Sequence, residues 1–237
     1  MTLPPVVALM PIKAMSERVP GKNVRPLCGR PLFHWMIDAL LSSRHVTRIL
    51  INSDSDEIGR EAERMGAVYV PRPTHLLGHM VRMNPLIEWD LEQTEGEMFL
   101  QTHATNPLLT GATIDRAIER FCQPGEHDSL FSVTEFRTRF YWPDGEPINH
   151  ELDQDLRSQD LPPIYEENSC LYAFSRSSFQ ARRRRIGGRP ILFPIDPLEA
   201  VDIDEEFQFR IAEALMAQRL AAPHRLSAVR PTPGVGG

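Results

Sequence analysis

Apolar residues recur along this chain in two rhythms that alternate. A continuous apolar run over residues 6–12 reads as a strand buried on both faces. In residues 32–41, Phe33, Met36, Ile37, Leu40 and Leu41 then recur at helical spacing. The exchange continues with a strand over 48–52, followed by Ser53, Asp54, Ser55 and Asp56, good helix-cap residues. A helix over 57–65 is stopped by Gly66, and a short strand occupies 67–70. A helix over 84–93, a strand over 98–102, a helix over 113–122 and a strand over 130–133 come next. Later strands are expected over 171–175 and 191–194, and a final helix over 205–220.

Alternation at this pitch predicts an α/β fold of three layers, α/β/α, with a mostly parallel sheet and helices on both faces. Ligands of such sheets bind beyond the carboxyl ends of the strands. Three polar segments fall at such ends: residues 13–22, 52–54 and 103–106. Residues 136–163 break the rhythm with prolines, charges and the aromatics Phe140, Tyr141 and Trp142. They read as a lid or dimerisation excursion, within about 136–170, of one domain spanning 1–220. Residues 221–237, rich in Pro, Gly and Ala, read as a flexible tail.

Composition narrows the class. The chain has 237 residues, 41% hydrophobic and 24% charged, an ordinary globular balance for one large domain. Its formal net charge of −6 argues against nucleic acid as a partner. The three cysteines, Cys28, Cys122 and Cys170, have no paired spacing, so neither a disulfide framework nor a zinc site is indicated. No apolar run reaches membrane-spanning length and no signal-peptide pattern precedes the first strand, so a cytoplasmic protein with no membrane partner is expected.

Two segments carry candidate chemistry. The loop after the first strand sets Lys13, Arg18 and Lys22 around Ser16 and Gly21. A cationic loop leaving a strand end is a cradle for a polyphosphate, whose oxygens take backbone N–H groups while the cations offset its charge. It is neither familiar phosphate loop: Ser16 stands at the first glycine of a P-loop, Asn23 stands where its hydroxyl belongs, and a dinucleotide fingerprint needs three glycines. The second segment is Asp202, Ile203, Asp204. On an extended backbone both carboxylates face one side, which suits Mg²⁺ held by carboxylates and substrate phosphates. The same residues equally describe a helix start, with Asp204 as cap and Glu205 and Glu206 complementing the dipole. Polar groups also gather at residues 101–106 and 165–169, where they suit a base or a sugar, or a plain turn. The arginine run 182–185 reads as a solvated face, with a phosphate- or acid-binding role as the alternative.

Taken in order, the polar motifs resemble a known family. They are Ser16; Pro20, Gly21, Lys22, Asn23; Gly29, Arg30, Pro31, Leu32; Ser53, Asp54; Gly66, Ala67; Arg72, Pro73; Thr105, Asn106, Pro107, Leu108; Asn168, Tyr172; and Asp202, Ile203, Asp204. The set, covering roughly residues 5–216, resembles the acylneuraminate cytidylyltransferases, or CMP-sialic acid synthetases, of the nucleotide-diphosphosugar-transferase superfamily. The resemblance implies a homodimeric enzyme that uses Mg²⁺ and CTP, acts on a sialic-acid-like sugar acid and releases pyrophosphate. It implies Lys13, Arg18 and Lys22 as the catalytic cations, and Ser16, Lys22, Asn23, Arg72, His103 and Thr105 around the nucleotide. Asp202 and Asp204 would hold the metal, and Asn168, Tyr172 and Gln159 the sugar acid. The chain departs from the family pattern at Lys13, Glu17, His103, Leu109 and Gln208. Sugar 1-phosphate nucleotidyltransfer and non-catalytic nucleotide binding are the alternatives.

Overall fold

A computed structural model describes residues 3–16, 18–78 and 80–221. In chain order the elements are β1 (Val6–Leu9), β2 (Pro26–Leu27), β3 (Arg30–Pro31), α1 (Leu32–Leu41), β4 (Val46–Ser53), α2 (Asp56–Arg64) and β5 (Val68–Pro71). Then follow α3 (Met83–Glu92), β6 (Met98–Thr102), α4 (Gly111–Phe121), β7 (Ser129–Phe136), β8 (Ile164–Ser175), α5 (Arg176–Arg182), β9 (Pro190–Pro194) and α6 (Glu206–Ala221). β2 and β3 make a small antiparallel hairpin. The other strands form one seven-stranded sheet in the order β5-β4-β1-β6-β8-β7-β9. Its pairings are parallel except those of β8, which runs antiparallel to both β6 and β7.

The buried run of β1 explains the three layers. Successive side chains point to opposite faces, and all four residues of β1 are buried. Val6 and Ala8 join Phe33, Met36 and Ile37 of α1, Ile58 of α2 and Ile114 of α4. Val7 and Leu9 join Ile87 and Leu91 of α3 and Phe179 of α5 on the other face. Each such fully buried aliphatic side chain contributes about 1.5–3 kcal/mol relative to exposure. In a third cluster Phe209, Ala212 and Met216 of α6 pack on Leu27, Leu32 and Leu108. That packing carries residues 202–204 to the mouth of the loop after β1. No described helix is long and apolar enough to cross a membrane.

From β1 the chain builds outward through β4 and β5, then crosses back to place β6 on the opposite side of β1. The order therefore reverses between β1 and β6, and a crevice opens at their carboxyl ends.

Besides the small β2–β3 hairpin, two elements differ from expectation. β8 begins at Ile164, seven residues before the strand read at 171, because Tyr165, Glu166 and Glu167 are exposed and carry no apolar signal. Inside it Phe131 pairs with Tyr172 and Val133 with Glu167, so residues 168–171 bulge against Ser132 alone. The Ser132 hydroxyl holds the bulge: it donates to Asn168 Oδ1 (2.6 Å) and accepts from the Leu171 N–H (3.0 Å). Ser169 takes a left-handed φ of 61° there, the local kink by which bulges re-aim side chains. α5 was not foreseen at all. It is seven residues long and is set by a capping box of Ser175 and Ser178. Between β7 and β8 the chain makes its excursion, fastened by Asn149, which accepts from the Phe140 N–H and donates to the Thr138 and Pro162 carbonyls. Of the tail read over 221–237, all but Ala221 lies outside the described residues.

Candidate active site

The loop after β1 is built rigidly. Met10 and Ile12 still donate to Leu50 and Asn52 of β4, so the chain leaves the sheet only at Lys13. The Ala14 N–H then donates to Asp54 Oδ1 (2.7 Å). Gly21, at φ 62°, makes the tight return that lets Lys22 N–H reach the Val19 carbonyl. Asn23 Nδ2 donates back to the Lys13 carbonyl (2.7 Å), closing the loop into a ring. Asn23 Oδ1 is buried and unpartnered.

This ring forms one wall of a cleft of about 260 Å³. Lys13, Ser16, Arg18, Lys22 and Asn23 line it from the loop, and His103 and Thr105 face them from the end of β6. The Lys22 ammonium is buried; it donates to the Ile203 carbonyl and lies 3.4 Å from Asp204 Oδ1. Arg18 reaches the same oxygen at 2.7 Å. The Asp204 carboxylate does not cap α6. Gln208 Oε1 reaches back from the first turn to the Asp204 and Glu205 amides just before the helix, at 2.8 and 2.7 Å. The Asp204 side chain instead faces the cationic loop, where Arg18 and Lys22 meet it.

Asp202 is pinned beside it, because the Ile203 N–H donates to the Thr105 carbonyl (2.9 Å). Its Oδ1 is buried and has no partner. Burial raises the Asp202 pKa, the neighbouring Asp204 adds to the rise, and a Thr105 hydrogen bond, Lys22 and Arg18 oppose it. Both aspartates also border a second cleft of about 600 Å³, whose other wall includes Glu167, Asn168 and Ser169 of β8. Among the described residues no group of three or more His, Cys, Asp and Glu has the disposition of a metal site. An orphaned carboxylate oxygen beside a second carboxylate nevertheless fits Mg²⁺, which binds through one or two carboxylates and completes its shell with water and phosphate oxygens.

Comparison with known proteins identifies the family. The family model described as cytidylyltransferase matches residues 7–221. The chain belongs to the cytidylyltransferase family. It is similar to post-translational flagellin modification protein B of Campylobacter coli, 26% identical over 216 residues, covering 86% of this chain and 92% of that one. It is also similar to N-acylneuraminate cytidylyltransferase A of Danio rerio, at 27% identity and 88% coverage of this chain, but it spans only 50% of that protein's length. The pseudaminic acid cytidylyltransferase of Helicobacter pylori, fused to a hydrolase, is 23% identical over 88% of this chain and is likewise matched over only 42% of its length. A solved CMP:2-keto-3-deoxy-manno-octonic acid synthetase in complex with CTP shares the fold, with a TM-score of 0.65, 13% identity and coverage of 91% and 99% of the two chains. These matches agree with the resemblance read from the sequence, and they make this chain a nucleotidyltransferase with the expected α/β architecture.

Not every residue read as part of this cytidylyltransferase's site lies in a cleft. Arg72 does not face the nucleotide cleft. Its guanidinium is buried behind the strand ends, donating to Asn52 Oδ1 (2.7 Å) and to the Ile12 and Asn52 carbonyls (both 3.1 Å). Tyr172 is fully buried, its hydroxyl bonded to Glu167 and its ring covered by Arg185, so it underlies the second cleft and has no face open to a sugar. Gln159 is exposed in the excursion and borders neither cleft. Asn168 does line the second cleft, with its amide already bonded to Ser132 and Thr134.

His103 is present in the cleft and neutral. Burial first, then Arg185 and Lys22, push its pKa down to about 3 against the pull of Asp204. Its Nε2 faces Gln101 Nε2 (3.1 Å) and Arg185 (3.3 Å), two donors, which leaves the ring proton on Nδ1. Leu109, at the departure from a family arginine, is 2% exposed and belongs to the core. Glu17 lies outside the described residues. Arg185 was missed. Arg182 and Arg183 of its run reach Asp128 and Glu88 at the surface, as a solvated face does. The left-handed Arg183 (φ 52°) ends α5, and two residues later Arg185 points inward to Gln101 and Tyr172. Nothing in a run of four arginines signals which one turns in.

Proposed function

We propose that this cytidylyltransferase couples CTP to the anomeric hydroxyl of a nonulosonic, sialic-acid-like 2-keto-3-deoxy sugar acid, with Mg²⁺ held at Asp202 and Asp204. The acceptor oxygen forms a bond to the α-phosphorus of CTP, the bond to the leaving oxygen breaks, the hydroxyl proton departs, and the products are a CMP-sugar and pyrophosphate. The observation that carries the reading is the convergence of Lys22, Arg18 and Asp204 at the carboxyl end of β1. The printed names of the relatives, which include N-acylneuraminate and pseudaminic acid cytidylyltransferases, support the acceptor class.

Phosphoryl-type transfer asks a protein for position and charge more than for covalent chemistry. Lys13, Arg18 and Lys22 neutralise the triphosphate and the charge that grows on pyrophosphate, while Ser16 and the loop amides orient its oxygens. Arg18, exposed and ion-paired in the free protein, exchanges Asp204 for phosphate. Neutral His103 offers the base an N–H without adding charge. Mg²⁺, when bound, screens the acceptor oxygen from the phosphates and lowers its pKa.

A sugar 1-phosphate acceptor would need a second phosphate patch. Arg182 and Arg183 are engaged on the outer surface, which favours the acid. The test is pyrophosphate release with CTP, Mg²⁺ and two panels, nonulosonic acids and sugar 1-phosphates. Release is expected with an acid and with CTP above the other nucleotides; release with a sugar 1-phosphate alone would overturn the reading.

A further inference from the structure

Arg185 is the one cation of its run that the fold turns inside. Its side chain is 17% exposed. The guanidinium carbon lies 3.5 Å from the centroid of the Tyr172 ring, and Nη1 donates to Gln101 Oε1 and to His103 Nε2. No carboxylate meets it at hydrogen-bond distance among the described residues. Glu167 comes nearest, at 3.7 Å, with its side chain 44% exposed, and the contacting Oε1 already accepts the Tyr172 hydroxyl. A charge taken out of water is strongly unfavourable unless a well-placed counter-charge meets it. The protein alone supplies Arg185 only a loose one.

Its position matters as much as its charge. His103, which it touches, lines the nucleotide cleft, and Glu167, which it approaches, lines the second cleft beside Asp202 and Asp204. Arg185 lines neither cleft itself, and an anion bound to it lies between His103 of the first and Glu167 of the second.

We infer that Arg185 receives the carboxylate of the acceptor acid, and that its fork, held by the Tyr172 ring and the Gln101 amide, makes the enzyme select acids over neutral sugars. The inference rests on the acceptor class proposed above. A planar guanidinium matches a carboxylate through two parallel N–H···O bonds. One guanidinium beside a neutral histidine balances a monoanion, whereas a phosphate dianion needs further cations. Tyr172 serves this fork as a stacking platform. Glu167 holds the place loosely in the free enzyme and yields it to the substrate.

The test compares wild type, Arg185→Gln and Arg185→Lys on the acid that wild type turns over fastest and on the methyl ester of that acid, with KM for CTP measured in parallel. Cooperative melting certifies the fold of each variant. In Arg185→Gln the acid-over-ester preference in kcat/KM is expected to fall about 10- to 100-fold, the effect of one lost charge-assisted pair. KM for CTP is expected to rise less than KM for the acid, because Arg185 meets the nucleotide site only through His103. Arg185→Lys, which keeps the charge without the fork, should restore part of the preference, and it decides the matter if the Gln variant does not fold. An unchanged acid-over-ester ratio in the folded variants would overturn the inference, as would CTP and acid KM values rising together. Wild type that turns over no acid would instead overturn the acceptor reading, and this inference with it.

Discussion

Asp204 shows how one side chain can be decided by its neighbours. Gln208 satisfies the two amides just before α6, and the Asp204 carboxylate meets Arg18 and the buried Lys22. With Asp202 it makes a pair whose orphaned oxygen suits a divalent cation. Asp202→Asn and Asp204→Asn are each expected to abolish most activity and to recover partly at raised Mg²⁺ or Mn²⁺, because the remaining ligands still bind weakly. Full activity of the double variant at low Mg²⁺ would remove the metal from these residues. A second residue-scale case lies behind the site. Asp90 is wholly buried, accepts from Asn52 Nδ2 (2.6 Å) and leaves Oδ2 unpartnered. Burial raises its pKa to about 7, against the Asn52 hydrogen bond and the charge of Arg72. Between about pH 4 and 7 the folded state thus keeps a proton that the unfolded chain has released, so this group's contribution to stability falls as pH rises through that window. Asp90→Asn keeps the acceptor for Asn52 and removes the titration. The melting temperature of wild type relative to that variant is expected to drop across that window, and parallel pH profiles would exclude the effect.

At the scale of elements, the start of α6 and the bulge in β8 shape the second cleft. Gln208 reaches back from the first turn to two amides, the function that a capping residue performs. Gln208→Ala is expected to lower stability by about 1 kcal/mol, or roughly 2–4 °C in melting temperature for a chain of this size. Activity should fall with it, because Asp204 is then drawn toward the helix amides. Gln208→Glu should retain most of the stability, and calorimetry of the three proteins checks both statements. The bulge acts differently. By spending residues 168–171 against Ser132 alone, β8 turns Asn168 and Ser169 into the wall of the second cleft.

Across the whole molecule, the reversal of strand order between β1 and β6 gathers residues far apart in sequence: Lys22 and Asp204 are 182 positions apart. The same scale holds the strongest sign of a partner. Tyr141 and Trp142 of the excursion are 49% and 58% exposed, and Phe207 and Ile211, four residues apart on α6, are 61% and 46% exposed beside the second cleft. Apolar surface of this kind marks an interaction site on a monomer. A homodimer of twice 27.0 kDa is expected, and Tyr141→Asp with Trp142→Asp should shift it toward monomer. Light scattering that finds only monomer at micromolar concentration would exclude the dimer.

The sequence by itself determined the layers, most of the sheet and the position of the cationic loop. Buried strands and one-sided helices carry a local period, which survives without knowledge of what packs against them. It also placed the Lys13–Lys22 loop and His103 at strand ends, since the carboxyl side of a parallel strand follows from chain direction alone. What it did not determine was orientation. Arg72 looked like a nucleotide ligand and proved to tie β1 to β4, and Tyr172 looked like a sugar contact and proved to be a buried platform. Arg185 looked like its solvated neighbours and turned inward. The strand before Leu171 was invisible because its outer residues are polar. For the two arginines the deciding partner is a long-range one: Arg72 finds the Ile12 carbonyl 60 positions away, and Arg185 finds Gln101 84 positions away. Period and propensity are local properties of a chain. Where a charged side chain points is settled by the desolvation and hydrogen bonding it meets in the finished fold, and only the tertiary structure holds that information.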